Sequence, residues 1–111
     1  MTYWADNIKF IKDILDSKFK KIEDAIVELE EQESILSKEP EQKKAREHFI
    51  EAARTLELID TNEMTSLAET MFKDMPDTER DKEIQRLDEI KSKYDKAITK
   101  INQLRSSLKI K

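Results

Sequence analysis

The beginning of this chain carries a large apolar residue at every seventh position, and few folds accommodate that pattern. Seven residues make almost two turns of an α-helix, so residues with this spacing lie on one helix face and form an apolar stripe. Such a stripe must be buried against other elements, which predicts one long helix over residues 3–38. The stripe consists of Ile8, Leu15, Ile22, Leu29 and Leu36.

The composition predicts that the rest of the chain is helical as well. Charged residues make up 41% of the 111 residues and hydrophobic ones 37%, with no glycine and two prolines, a balance that favours long helices. We expect a single all-α domain over residues 1–111. The absence of glycine excludes glycine-rich phosphate-binding loops, and the absence of cysteine excludes disulfides and thiolate metal sites.

A second apolar stripe follows Pro40, a residue that disfavours helix just before it and suits the first turn of a new helix. Two interpretations compete further along, because residues 60–62 (Asp-Thr-Asn) are typical of a turn, whereas apolar residues continue at helical spacing to Met75. We favour one continuous helix over residues 41–74, which matches the first helix in length. A break at residues 60–62 gives four helices instead. The second stripe begins with Ala45, Phe49, Ala52, Leu56 and Ile59.

The third helix is predicted to follow Pro76 and to run over residues 77–109. Its apolar residues again recur every seven positions. Three long helices joined by short loops predict an up-down-up antiparallel three-helix bundle with coiled-coil-like packing. The third stripe consists of Leu87, Tyr94, Ile101 and Leu108.

The first and third helices differ in charge. Residues 1–39 carry 10 acidic and 6 basic side chains, whereas residues 76–111 carry 7 acidic and 10 basic ones. In an up-down-up bundle these two helices run parallel, and exposed ion pairs between them fix the register more than the stability. The residues expected at the same height are Glu28, Glu30, Glu31 and Glu33 on the first helix and Lys96, Lys100 and Arg105 on the third.

No pattern in the chain indicates catalysis, a metal or a cofactor. His48 and Glu51 share a helix face, but a metal in a helical bundle needs inward-pointing ligands from two or more helices, and the inward positions here are apolar. Acid–base catalysis needs carboxylates in a concave, partly dry site, whereas these acidic residues fall mostly opposite the stripes. We therefore expect no enzymatic activity, no metal and no cofactor.

The lysine-rich C-terminal part of the chain raises the question of nucleic-acid binding. The net charge is -4, the pI is about 5.2, and the basic residues fall on several helix faces, so nucleic acid is a disfavoured partner. No apolar run approaches the roughly 18 residues of a membrane span, and residues 1–10 lack the basic start and apolar core of a signal peptide. We expect a soluble, cytoplasmic protein.

One end of the predicted bundle collects aromatic residues and methionines. Methionine suits adaptable binding surfaces and tryptophan anchors many interfaces, so this end is the candidate partner-binding site. The favoured interpretation is nevertheless that the same residues close the end of the core, since buried aromatic residues in a small bundle need no further explanation. The candidate site consists of Trp4, Phe10, Met71, Phe72 and Met75.

Residues 22–40, with the sequence IEDAIVELEEQESILSKEP, resemble the end of the first helix and the following loop of syntaxin N-terminal regulatory domains. That resemblance covers less than a fifth of the chain and implies a three-helix bundle of similar size. BAG-type co-chaperone domains are similar in length and architecture, but their chaperone-contacting residues have no identifiable counterparts here. Neither resemblance carries site residues over to this chain.

These patterns predict a non-enzymatic helical-bundle module for protein–protein interaction, acting as an adaptor or as a subunit of a complex. Its partner is another protein or helix, and a second copy of the chain is a further candidate. Two alternatives stay open. One is a small helical co-chaperone or assembly factor, and the other is a nucleic-acid-associated helical protein.

Overall fold

The computed structural model describes the backbone of residues 3–109 and the side chains of residues 8–109. Within that part of the chain the backbone forms helices and turns, without strands, which confirms the predicted all-α class. It contains four α-helices rather than the three predicted. They are α1 (Tyr3–Lys38), α2 (Lys43–Glu57), α3 (Thr61–Phe72) and α4 (Asp77–Leu108).

The heptad stripe of α1 forms one side of the core. Leu15, Ile22, Leu29 and Leu36 are buried, and Ile8 is half-buried against the same cluster. The core follows the helices along a rod of 59 × 19 × 19 Å. Its radius of gyration is 17.1 Å, compared with about 13 Å for a compact globule of this length, so the fold exposes long helix surfaces.

The prediction of one continuous second helix is wrong, because α2 ends at Glu57 and α3 begins at Thr61. Asp60 explains the break. Its backbone is extended, and its carboxylate accepts hydrogen bonds from the backbone amides of Asn62 at 3.0 Å and Glu63 at 3.1 Å. Such an N-cap stabilises a helix start by about 1 kcal/mol and competes with a helix that continues through the same position. The turn signature therefore outweighs the apolar spacing.

The other helix ends follow local side-chain chemistry. α2 begins two residues later than predicted, after Gln42, whose side chain accepts a hydrogen bond of 2.7 Å from the amide of Ala45. Pro76 occupies the N-cap position of α4, as the sequence predicts for a proline at a helix start. α4 ends at Leu108, one residue earlier than predicted, and Lys109 after it adopts the left-handed conformation with φ of 55°.

α1 and α4 run in the same direction. Arg86 Nη1 lies 2.6 Å from Asp16 Oδ1, and Lys100 Nζ lies 3.1 Å from Glu33 Oε1, so residue numbers rise together along the two helices. The second contact is one of the pairs expected from the charge pattern. These ion pairs set the height of α4 against α1, with Asp16 level with Arg86.

α2 runs opposite to α1. His48, near the start of α2, lies 3.8 Å from Glu28, while Leu58, just after its end, lines the same shallow hollow as Lys21. α3 follows α2 along α1, and both also contact α4. Two short helices thus occupy the position predicted for the second long one.

Candidate functional site

The predicted partner-binding residues do not form one exposed surface among the side chains described. Met71 and Met75 are buried in the core, and Phe72 is half-buried against it. Phe10 is 66% exposed and points away from that core. The side chain of Trp4 lies outside the described residues. The methionines therefore close the end of the core, and a partner cannot reach them without repacking.

Phe10 borders a shallow hollow on the surface of α1. The hollow also contains Ile14 and two lysines, Lys18 and Lys21. All of its lining residues belong to one helix, so it lacks a second wall. A single-helix hollow offers few contacts to a partner side chain, and Phe10 is better described as an isolated exposed aromatic residue.

A groove between α1 and α4 has a volume of about 350 Å³ and is more enclosed than the hollow around Phe10. Its floor is apolar. Leu29, Phe49 and Ile101 are buried there, and Phe49 reaches the floor from α2 on the far side. Ile26, Leu104 and Val27 form the walls, of which Val27 is 54% exposed. An apolar depression of this kind can receive large hydrophobic side chains from another chain.

The two rims of the groove carry opposite charges. Glu23 and Glu30 line the α1 side, whereas Lys93, Lys96 and Lys100 line the α4 side. This separation follows from the sequence, because the middle of α1 is rich in glutamate and the second half of α4 is rich in lysine. The groove therefore has an acidic edge on α1 and a basic edge on α4, on either side of an apolar floor.

The sequence-based prediction of a partner site concentrated on aromatic residues and methionines and did not identify the groove, although the position of Val27 outside the α1 stripe predicts exposed apolar surface and a capacity for self-association. Val27 lies beside the α1 stripe rather than in it. The heptad pattern gives Val27 no place in the core, and an exposed apolar residue at the margin of a stripe is the signal that identifies the groove. Lys96 and Lys100 were expected to pair with glutamates of α1, and the C-terminal lysines as a group were considered for nucleic-acid binding.

A second hollow, between α1 and α2, contains the single histidine. His48 Nδ1 lies 3.8 Å from a carboxylate oxygen of Glu28 and 3.9 Å from one of Glu51. Both glutamates line the hollow, and both side chains are in contact with solvent. Within residues 8–109, no three histidine, aspartate or glutamate side chains are grouped closely enough to hold a metal ion. The arrangement is a solvent-exposed contact between a histidine and two carboxylates.

The pKa shifts that occur mark contacts between helices. Arg105 donates a hydrogen bond of 3.1 Å to Glu57, together with a second, parallel one, and this lowers the pKa of the Glu57 carboxyl and raises the pKa of the Arg105 guanidinium. Burial, aided by nearby carboxylates, raises the pKa of the Tyr94 hydroxyl, which donates to the carbonyl of Ile59 at 3.4 Å. These groups join α4 to the end of α2 and do not line the groove.

None of the described helices is both long enough and apolar enough to cross a membrane. No protein-family model, curated protein or solved structure matches this chain. The likeness of residues 22–40 to syntaxin regulatory domains, and that of the whole chain to BAG-type domains, therefore stays at the level of sequence pattern and size. The groove is the feature of the molecule from which a function can be argued.

Proposed function

We propose that this protein is a non-enzymatic helical module that binds other protein chains through the groove between α1 and α4, as an adaptor or as a subunit of a complex. The groove carries this proposal, since it combines a buried apolar floor with partly exposed apolar walls and charged rims. A central apolar patch surrounded by polar residues is the common design of protein interfaces.

The length of the groove favours a helical partner. Its lining residues on α4 span Lys93 to Leu104, which corresponds to about 16 Å at 1.5 Å per residue. An amphipathic helix can lay three turns along such a surface and complete a bundle with α1 and α4. A co-chaperone role is a special case of this function, in which the partner is a client or a chaperone.

The charges of α4 do not favour the nucleic-acid alternative. Lys100 pairs with Glu33, Arg105 pairs with Glu57 and Arg86 pairs with Asp16. Nucleic-acid binding requires cations that are free to replace counterions along the phosphate backbone. Here carboxylates already compensate several of the cations, and the chain as a whole is acidic.

A comparative pull-down from extract of the source cells tests the proposal. The tagged wild-type chain is compared with Val27→Lys, which places a charge on the groove wall, and with Ser66→Lys, which adds the same charge at an exposed position of α3. We expect Val27→Lys to lose the co-purified protein and Ser66→Lys to retain it, with both variants as helical as wild type by circular dichroism. Equal capture by all three folded chains would contradict the proposed role of the groove.

A further inference from the structure

The rim of the groove holds charges that form no ion pair with the other described side chains. Over the side chains of residues 8–109, Glu23, Glu30, Lys93 and Lys96 make no ion pair within 4 Å. They flank an apolar floor, where a partner would displace water from around them. A partner that leaves them unpaired would lose affinity, so the occupant of the groove must carry matching charges.

The parallel course of α1 and α4 places these charges in register. Asp16 pairs with Arg86, a separation of 70 residues in the sequence (86 − 16 = 70). The same separation relates Glu23 to Lys93 (93 − 23 = 70). Along the groove, Glu23 and Glu30 thus form an acidic edge on α1, and Lys93, Lys96 and Lys100 form a basic edge on α4.

Two copies of such a groove can face each other in two principal symmetric ways. A two-fold axis perpendicular to the long axis of the molecule places α1 of one copy against α1 of the other, and α4 against α4. Glutamates of the two copies then meet each other, and so do the lysines. An axis along the rods places α1 of each copy on α4 of the other, and opposite charges meet at the same height. Like charges in an interface are strongly unfavourable, so the second arrangement is selected.

We infer that the occupant of the groove is a second copy of this chain, related by a two-fold axis parallel to the rods, with Glu23 of each copy facing Lys93 of the other. This inference rests on the proposed function and names its partner. The interface is isologous, since each copy contributes the same acidic and basic edges. α1 and α4 of the two copies then form a parallel four-helix core.

The apolar walls of the groove complete that core. Ile26 and Leu104 are half-buried in the single chain, and Val27 is 54% exposed. In the dimer these side chains from both copies meet along the two-fold axis and lose their remaining contact with water. Their burial supplies the attraction, while the rim charges set the alignment.

Sedimentation velocity over a concentration series tests the association itself. We expect the wild-type chain to shift from monomer to dimer with increasing concentration. Val27→Lys stays monomeric and helical, and Ser66→Lys dimerises like wild type. A wild-type chain that remains monomeric over the whole series, or a Val27→Lys variant that dimerises like wild type, overturns the inference.

Charge reversal tests the symmetry. Glu23→Lys and Lys93→Glu each place like charges opposite one another in the dimer, so each variant alone should dimerise at least about tenfold more weakly than wild type. An equimolar mixture of the two restores dimerisation, because the acidic edges of one variant face the basic edges of the other. Failure of the mixture to restore dimerisation overturns the proposed alignment.

Sedimentation and the pull-down together separate this inference from the proposed function. Suppose that the wild-type chain is monomeric, while the pull-down recovers a different protein with wild type and not with Val27→Lys. The second-copy assignment then fails and the groove remains a binding site. If the chain is monomeric and capture does not depend on the groove, both fail.

Discussion

The hydroxyl of Tyr94 on α4 donates a hydrogen bond to the backbone carbonyl of Ile59, 3.4 Å away in the break between α2 and α3. The break frees carbonyl groups from the helical hydrogen-bond pattern, and one of them is satisfied here by a side chain of another helix. Tyr94, a residue of the predicted third stripe, thus packs against the core with its ring and also donates a hydrogen bond with its hydroxyl.

Replacing Tyr94 with phenylalanine should lower the free energy of unfolding by about 0.5–1.5 kcal/mol, toward the lower end because the hydrogen bond is long. Chemical denaturation at neutral pH measures this difference.

The stabilising effect of Tyr94 should depend on pH, because its pKa is raised in the folded protein. Its contribution to the free energy of unfolding is fully present below a pH of about 10, where the tyrosine is protonated in the unfolded chain too. It is lost as the pH rises through the folded-state pKa. The stability difference between wild type and Tyr94→Phe should therefore shrink in alkaline solution, and a difference that grows there would contradict this account.

The N-cap of α3 predicts contrasting effects of two substitutions. Asp60→Ala removes the side chain that caps two backbone amides and should cost about 0.5–2 kcal/mol. Thr61→Pro places proline at the first residue of α3, where its missing amide is tolerated and where Asp60 already has an extended backbone, so its effect should be small.

A proline at Thr55, inside α2, is the matched control and should cost about 3 kcal/mol. All three variants can be compared by thermal and urea denaturation. If Thr61→Pro were as damaging as Thr55→Pro, the helix would continue through residues 58–60 in solution.

The heptad stripe of α1 predicts a large difference between two neighbouring positions. Leu29 is 4% exposed, and Leu29→Ala should cost about 2–5 kcal/mol through lost burial and a residual cavity. Glu31 is exposed on the same helix, and Glu31→Ala should change the unfolding free energy by less than about 0.5 kcal/mol. Urea unfolding followed by circular dichroism distinguishes them, and equal effects would mean that the stripe is misplaced.

The aromatic and methionine residues of the predicted partner-binding site, at one end of the bundle, should differ in how much their removal lowers the stability of the fold. Met71→Ala removes a buried side chain and should cost about 2–5 kcal/mol, whereas Phe10→Ala affects an exposed one and should leave the melting temperature almost unchanged. The same two variants test the earlier hypothesis that this end binds the partner. Loss of partner capture by a stable Phe10→Ala chain would move the binding site from the groove to the surface around Phe10.

The sequence by itself determined the class of fold and most helix ends. A heptad repeat without glycine can be buried only as a helix, so the extent of α1 follows from the positions of five aliphatic residues. Likewise, proline at residue 76 fixes the start of α4, because its backbone geometry suits the entrance of a helix and not its interior. The pairing of Glu33 with Lys100 lies within the set of pairs expected between α1 and α4 from charge and spacing, whereas Arg105 of the same set pairs with Glu57 of α2.

Only the tertiary structure decided where the chain breaks and which apolar residues stay exposed. At Asp60 the sequence carries two signals of similar strength, a capping side chain that favours a helix start and an apolar spacing that favours a continuous helix. The helix start prevails, because α3 can bury its apolar stripe without being continuous with α2. Met71 and Val27 are both apolar residues on helices, yet the first is buried and the second is exposed. The periodicity of the sequence gives the direction in which a side chain leaves its own helix. The exposure of that side chain depends on how closely a neighbouring helix approaches. For that reason the groove between α1 and α4 can be identified only in the packed chain.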